Sequence, residues 1–231
     1  MKILAVDTAT DSASVAIVSE GAVLAETNLS HRQTHTIRLM PMIDAILKEA
    51  RLSLPEMNGF AATVGPGSFT GLRIGLATVK GLAFSAQKPV AGVTSLEALA
   101  YPFVFSGMKI CAMVDARKGE VYTSQYDTAD GRLRLIRKIE ATSPEKAARN
   151  AGTSFLYAGN GARIYKELIR SVLGEESHFA PSCLMQIRAG NVGLLGLEML
   201  MKTAGDPLSS FLPRYVRASD AEKMRTAEGK A

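Results

Sequence analysis

The chain has 231 residues, 47% hydrophobic and 21% charged, the composition of an ordinary globular protein long enough for one large domain or two lobes. Its net charge of +5 is a mild basic tilt, with Arg214, Arg217, Lys223, Arg225 and Lys230 clustered late, and it permits an RNA or phosphate partner without demonstrating one. Cys111 and Cys183 form neither a redox pair nor a zinc spacing, no run of 18 apolar residues exists, and Lys2 and Asp7 come too early for a secretory leader, so a cytoplasmic setting with no membrane contact is expected.

In chain order, residues 3–8, 12–19 and 22–28 read as three short-turned strands, the second and third joined at Glu20-Gly21. A helical pattern follows over 33–50, then a strand over 60–64, a helix over 72–87 and a buried strand over 89–93. A further helix begins near Ser95, with Glu97 in its first turn. After Pro102 the pattern restarts: strands over 109–115, 120–127 and 133–141, a helix over 144–150, a strand over 154–159 and helices over 162–173 and 189–203. Residues 211–217 read as extended, and the tail from Ala218 is polar and expected to fray.

Two successive units of three strands followed by alternating elements suggest an internal duplication, although no residue-level repeat is visible. Meanders followed by crossover helices predict an α/β architecture of two tandem lobes, each a mixed sheet flanked by helices. The expected boundaries are 1–104 and 105–217, with 218–231 as a flexible tail. This is the plan of the actin-like, ribonuclease-H-like ATPases.

The run Gly65-Pro66-Gly67-Ser68-Phe69-Thr70-Gly71-Leu72-Arg73-Ile74-Gly75 holds four glycines and joins a strand to a helix that Ser68 or Thr70 could cap. A helix N-terminus after a glycine-rich turn suits an anion. The pattern nevertheless lacks the Gly-Lys-Ser/Thr ending of a phosphate loop, and no glycine pair stands at dinucleotide-binding spacing. Close packing by small residues is therefore the favoured reading. Gly71, Gly75 and Thr78 fall near one helix face, and Ile74, Ala77, Gly81 and Ser85 near another.

Asp7, in the turn Asp7-Thr8-Ala9-Thr10-Asp11, is a candidate for holding a metal-bound phosphate or for ordinary turn formation. Asp115, in Asp115-Ala116-Arg117-Lys118-Gly119-Glu120, occupies the matching place in the second half, on a turn stiffer than a glycine-rich phosphate loop. These two are the only nucleotide-binding candidates, and both are weak. His31 and His35 stand at i and i+4, a zinc-like spacing. His31 falls outside the expected helix and His178 lies in an unrelated loop, which favours capping or surface roles. Over 33–50 the helix is apolar nearly all round: Met40, Ile43 and Leu47 form one stripe, and Leu39, Met42 and Ile46 another. One stripe suffices for a core, so the second invites a partner, while Pro41 removes a helical hydrogen bond and predicts a kink.

Taken together, several segments resemble the TsaB (YeaZ) family over nearly the whole chain. They are Ile3-Leu4-Ala5-Val6-Asp7-Thr8-Ala9-Thr10, His35 with Leu39-Met40-Pro41, the Gly65–Gly75 run, Gly92-Val93-Thr94-Ser95-Leu96, Asp115-Ala116-Arg117-Lys118-Gly119-Glu120-Val121-Tyr122 and Pro213-Arg214-Tyr215-Val216-Arg217. The resemblance implies a two-lobed actin-like fold and a non-catalytic part in bacterial tRNA modification, placing threonylcarbamoyl on the adenosine beside the anticodon. It implies direct pairing with TsaD, contact with TsaE and tRNA through the complex, and a homodimer where TsaD is absent. It also implies no catalytic residue, no metal and no cofactor. The implied interface lies on the two first-lobe helices, at Leu39, Met42, Ile46, Leu72, Gly75 and Thr78. TsaD-type subunits carry a metal-binding His-x-x-x-His pair where this chain has Ser95 and Leu99, and leucine cannot ligate a metal. The competing reading is a stand-alone ATPase or metallopeptidase using Asp7, Asp115 or the histidines.

Overall fold

The computed structural model describes residues 1–30 and 35–217. Its first sheet is built from β1 (Lys2–Asp7), β2 (Ser12–Ser19), β3 (Ala22–Ser30), β4 (Gly59–Gly65) and β5 (Val90–Thr94), in the order β3-β2-β1-β4-β5. β1, β2 and β3 are antiparallel neighbours, whereas β4 runs parallel to β1 and β5 parallel to β4. Every residue of β4 and β5 is buried, as both-faced coverage of a parallel core strand requires.

Strand alternation divides the apolar residues of this sheet between two faces. Leu4, Val6, Val15 and Ile17 turn to a cluster that includes Leu39, Ile43 and Ile46 of α1 (His35–Glu49) and Leu76, Val79 and Ala83 of α2 (Phe69–Ala86). Ile3, Ala5, Ala16 and Val18 turn the other way. Ser68 caps α2, accepting from the Gly71 amide at 3.2 Å. Thr94 and Glu97 form a reciprocal capping box on α3 (Ser95–Ala100), the helix that leads into the second half. α1 continues as one helix through Pro41.

The second sheet repeats the first. β6 (Lys109–Arg117), β7 (Glu120–Asp127), β8 (Arg134–Thr142), β9 (Phe155–Ala158) and β10 (His178–Phe179) lie in the order β10-β9-β6-β7-β8. Three antiparallel strands are again followed by two parallel ones. α4 (Pro144–Ala151), α5 (Asn160–Ile164) and α6 (Lys166–Leu173) complete this unit. The helix expected over 162–173 is two helices, because the chain leaves helical geometry at Tyr165 (φ −99°, ψ 21°). Residues 211–217 form no strand, and the two-residue β10 had no legible pattern.

The lobe boundary at 105 needs one correction. α7 (Ala189–Lys202) returns to the first sheet and covers the face formed by Ile3, Ala5, Ala16 and Val18. Gly193 and Gly196 let it come close: a Cβ on Gly193 would meet Val18 Cγ1 at 2.7 Å, and one on Gly196 would meet Ala61 Cβ at 2.5 Å. Its first amides are bound by first-sheet side chains, Ala189 N donating to Ser14 Oγ at 2.8 Å and Gly190 N to Glu26 Oε1 at 2.9 Å. Beyond α7, Asp206 N donates to Val90 O and Phe211 enters the first-lobe core. The first lobe therefore comprises 1–104 together with 189–217.

Candidate functional site

A cleft of about 450 Å³ separates the lobes, walled by the β1–β2 turn and the start of α2 on one side and the β6–β7 turn with Asn160 on the other. The structure places the two candidate carboxylates differently. Asp115 is in the wall, its Oδ1 accepting from the Arg117 amide at 3.1 Å and the Tyr165 hydroxyl at 3.4 Å, while its own amide donates to Asn160 Oδ1 at 3.1 Å. Asp7 is fully buried and is not part of the wall. Its Oδ1 accepts from Thr63 Oγ1 at 2.7 Å and from Ala9 N at 3.1 Å, and Oδ2 has no partner.

What seals Asp7 is the glycine-rich run. A Cβ on Gly67 would stand 2.2 Å from Ala9 O, one on Gly71 2.1 Å from Thr8 O, and one on Gly75 2.2 Å from Thr8 Oγ1. Thr8 Oγ1 donates to Gly71 O at 2.8 Å. The glycines thus press α2 onto the turn where an actin-like ATPase would hold phosphate, in keeping with the packing reading. Gly159 makes the corresponding approach in the second lobe, its Cβ position 2.1 Å from Met113 O.

Burial pushes the Asp7 carboxyl from 3.8 to about 7, against the opposing hydrogen bonds from Thr63 and Ala9. Between these values the folded chain keeps a proton that the unfolded chain has lost. The stability contribution is complete below about pH 4 and is lost as pH rises through about 7. Its size is on the order of 4 kcal/mol. Asp7→Asn, which carries no charge at any pH, is expected to lack this decline. Chemical denaturation at pH 4.5 and 8 checks it, and superimposable pH profiles for the two proteins would show that Asp7 ionises normally.

The C-terminal segment straps the mouth of the cleft. Arg214 N donates to Val64 O at 2.7 Å, and the Tyr215 ring stacks on Phe69 with centroids 4.8 Å apart. Arg73 lies over the other partner of that stack, its Cζ 3.8 Å from the Phe69 centroid, and its Nε donates to Tyr215 Oη at 3.0 Å. Arg217 then pairs with Glu120 across the cleft and donates to Ala116 O. A second bridge, this one exposed, joins Arg117 to Asp11 at 3.5 Å. In sequence Arg214 and Arg217 read as basic residues of an extended segment ending the second lobe, and no local pattern announced the crossing.

The first-lobe helices require a correction to the expected interface. Leu39 and Ile46 are 1% and 5% exposed and belong to the lobe's own core, as does Leu72 at 1%. Gly75 is buried on Thr8, while Met42 and Thr78 are half-buried. The outward residues are Ile37 and Met40 of α1 (74% and 49% exposed) and Thr70, Arg73, Ala77, Gly81 and Phe84 of α2. The α2 residues recur at intervals of three and four, one continuous stripe, and Phe84 is 77% exposed. Gly81 has nothing within 4 Å of its Cβ position. The physical reason is rotation: the stripe closest to the sheet is Leu39-Ile43-Ile46, and the neighbouring Met42 leans on the same core.

Ser95, the first residue of α3, and Leu99, near its end, are buried, and Ser95 Oγ has no partner. His31 lies outside the described residues, and His178 is exposed on β10. Among the described residues, no three His, Cys, Asp or Glu side chains are grouped to hold a metal, and no helix is long and apolar enough to cross a membrane. Cys111 is buried, its thiol pushed up to about 12 by desolvation, and Cys183 is exposed on a separate loop.

Two sheets of identical strand order, facing each other across a cleft, define the actin-like, ribonuclease-H-like class. Component A of (R)-2-hydroxyglutaryl-CoA dehydratase from Acidaminococcus fermentans shares that fold at 11% identity and a TM-score of 0.53. The family model of TsaD, described as tRNA N6-adenosine threonylcarbamoyltransferase, matches residues 22–224. The tRNA threonylcarbamoyladenosine biosynthesis protein TsaB of Bacillus subtilis is 29% identical over 225 residues, 96% of each chain. TsaB of Haemophilus influenzae is 32% identical over 219 residues, 90% of this chain and 92% of that one. YeaZ from Pseudomonas aeruginosa superposes with a TM-score of 0.79 at 30% identity, covering 93% of this chain and 99% of that one. The chain belongs to the TsaB (YeaZ) family, within the broader group that the TsaD model captures.

Proposed function

We propose that the chain is a non-catalytic subunit of tRNA threonylcarbamoyladenosine biosynthesis in the cytoplasm, docking a TsaD-type partner through the outward face of α1 and α2. The observation that carries this is the α2 stripe. Ala77 and Gly81 leave the helix backbone bare in its middle, and Phe84 stands exposed at its end, with Ile37 and Met40 supplying apolar surface on α1. Small residues flanked by large apolar ones are what two helices need to approach closely and interlock.

The site residues support a division of labour. Ser95 and Leu99 supply no ligand pair at the position where a TsaD-type subunit holds its metal, and Asp7 is sealed beneath the glycine-rich run. Transfer of the threonylcarbamoyl group belongs to the partner. This chain's part is to hold that partner in a productive assembly, with TsaE and tRNA joining the complex, and the same face serves a second copy of the chain when the partner is absent. Reconstitution with TsaD, TsaE, TsaC as the source of threonylcarbamoyl-adenylate, threonine, bicarbonate, ATP and unmodified tRNA tests it. Modified nucleoside should form with the chain and fall to background without it, and the chain alone should form none. Transfer by the isolated chain, or undiminished transfer in its absence, would overturn the proposal.

A further inference from the structure

The basic surplus is not evenly placed. Residues 105–188 carry 13 Lys and Arg against nine Asp and Glu, whereas residues 1–104 carry eight of each, so the excess sits on the second lobe. Within it, Arg132, Arg134, Arg137 and Lys138 fall in seven residues on β8 and the turn before it. β8 is the edge strand of its sheet, and residues 134–138 are all exposed, including Leu135 and Ile136. Lys109, at the start of β6, stands at the same end, since Asp127 follows the residue paired with Ile110 and is itself paired with Arg134.

An exposed aromatic joins these cations from elsewhere in the chain. Phe105 is 88% exposed, and its ring lies against Gly131 at the tip of the β7–β8 turn, where a Cβ would meet Phe105 Cε1 at 3.0 Å. Acidic residues are present too. Asp130 pairs with Arg134, Glu140 lies 3.7 Å from Arg137, and the Asp127 carboxylate accepts from Ala129 N. Arg132 and Lys138 lie outside these pairs.

We propose that this end and edge of the second sheet bind the phosphate backbone of RNA, with Phe105 as a stacking platform for an unpaired base. The choice of RNA rests on the tRNA-modification reading given above. Its physical support is the combination of spread cations with a bare aromatic ring, which suits a nucleic acid strand. From Arg132 to Lys138 an extended chain spans roughly 20 Å, enough for several phosphates. Addition of a protein strand to the edge is disfavoured by the register irregularities between Thr123 and Gln125 and between Gln125 and Tyr126, which bend the β7–β8 ladder.

The test uses the full chain assembled with its TsaD-type partner and an unmodified tRNA transcript, titrated by fluorescence anisotropy at several salt concentrations. The charge-reversal pair Arg132→Glu with Lys138→Glu should weaken binding at least about tenfold and lower the salt slope by about two. Phe105→Ala should weaken it about tenfold with the slope unchanged. Both variants touch exposed residues, and equal melting temperatures and partner association will show that they remain folded. Unchanged tRNA affinity in both overturns the proposal, leaving the cations as blunting for the edge or as a dock for an acidic protein. Modification activity measured on the same samples separates the two claims. Failure of the wild-type chain to support modification counts against the proposed function, whereas normal modification and normal tRNA affinity in the variants removes the RNA surface alone.

Discussion

Gly71→Ala is expected to cost about 3–5 kcal/mol, enough to leave little folded chain at physiological temperature. The added methyl would sit 2.1 Å from the Thr8 carbonyl oxygen, and its obstacle is backbone rather than a flexible side chain. Relief requires α2 to move off the β1–β2 turn, breaking the bond from Thr8 Oγ1 to Gly71 O and uncovering Asp7. Ten residues on in the same helix, Gly81→Ala should have the opposite sign. Its Cβ position is open, so the substitution gains about 0.5–1 kcal/mol of helix propensity. Urea unfolding of both variants checks the contrast. Near-wild-type stability in Gly71→Ala would mean that the turn yields and that the glycine run is not a packing device.

Ala77→Asp should abolish association with a TsaD-type partner while leaving the isolated chain folded. Ala77 is exposed, so the substitution alters only helix propensity in the free chain, by well under 1 kcal/mol. In a helix–helix seam the same carboxylate is buried without a partner, at a penalty of several kcal/mol, or roughly a thousandfold in affinity. Met42→Asp makes the control. Met42 is half-buried and packs on the first-lobe core, so the charge should destabilise the chain itself by about 2–3 kcal/mol. Light scattering of the mixtures, with thermal melts of each chain alone, separates the two effects. Normal complex mass with Ala77→Asp would place the partner surface elsewhere.

Much of the site was legible before the fold. The departure at Ser95 and Leu99 is a matter of residue identity, and a leucine cannot ligate a metal whatever surrounds it. Asp7 and Asp115 were recognisable as matching turn residues of the two halves, but not as one sealed and one facing the cleft. That difference comes from Gly67, Gly71 and Gly75 pressing on the first turn, whereas Asp115 keeps its hydrogen bonds at the open wall. The strap formed by Arg214, Tyr215 and Arg217 left no periodic trace, because its contacts lie about a hundred or more residues away in sequence.

By itself the sequence determined most of the strand and helix order and the two-unit pattern, because these follow from local periodicity, turn residues and caps, while the actin-like class came with the family resemblance. Ser12–Ser19 and Glu120–Asp127 stand where alternation and glycine turns put them. Only the tertiary structure decided which face of an all-round apolar helix is core, so that Leu39 and Ile46 turned inward while Met40, Ala77, Gly81 and Phe84 remained outside. It alone also brought α7 back to the first sheet, where Ser14 and Glu26 bind its leading amides. Periodicity states that a helix has apolar residues to bury, but the direction of burial is settled by the sheet it lies against, and that sheet is assembled from strands distant in sequence.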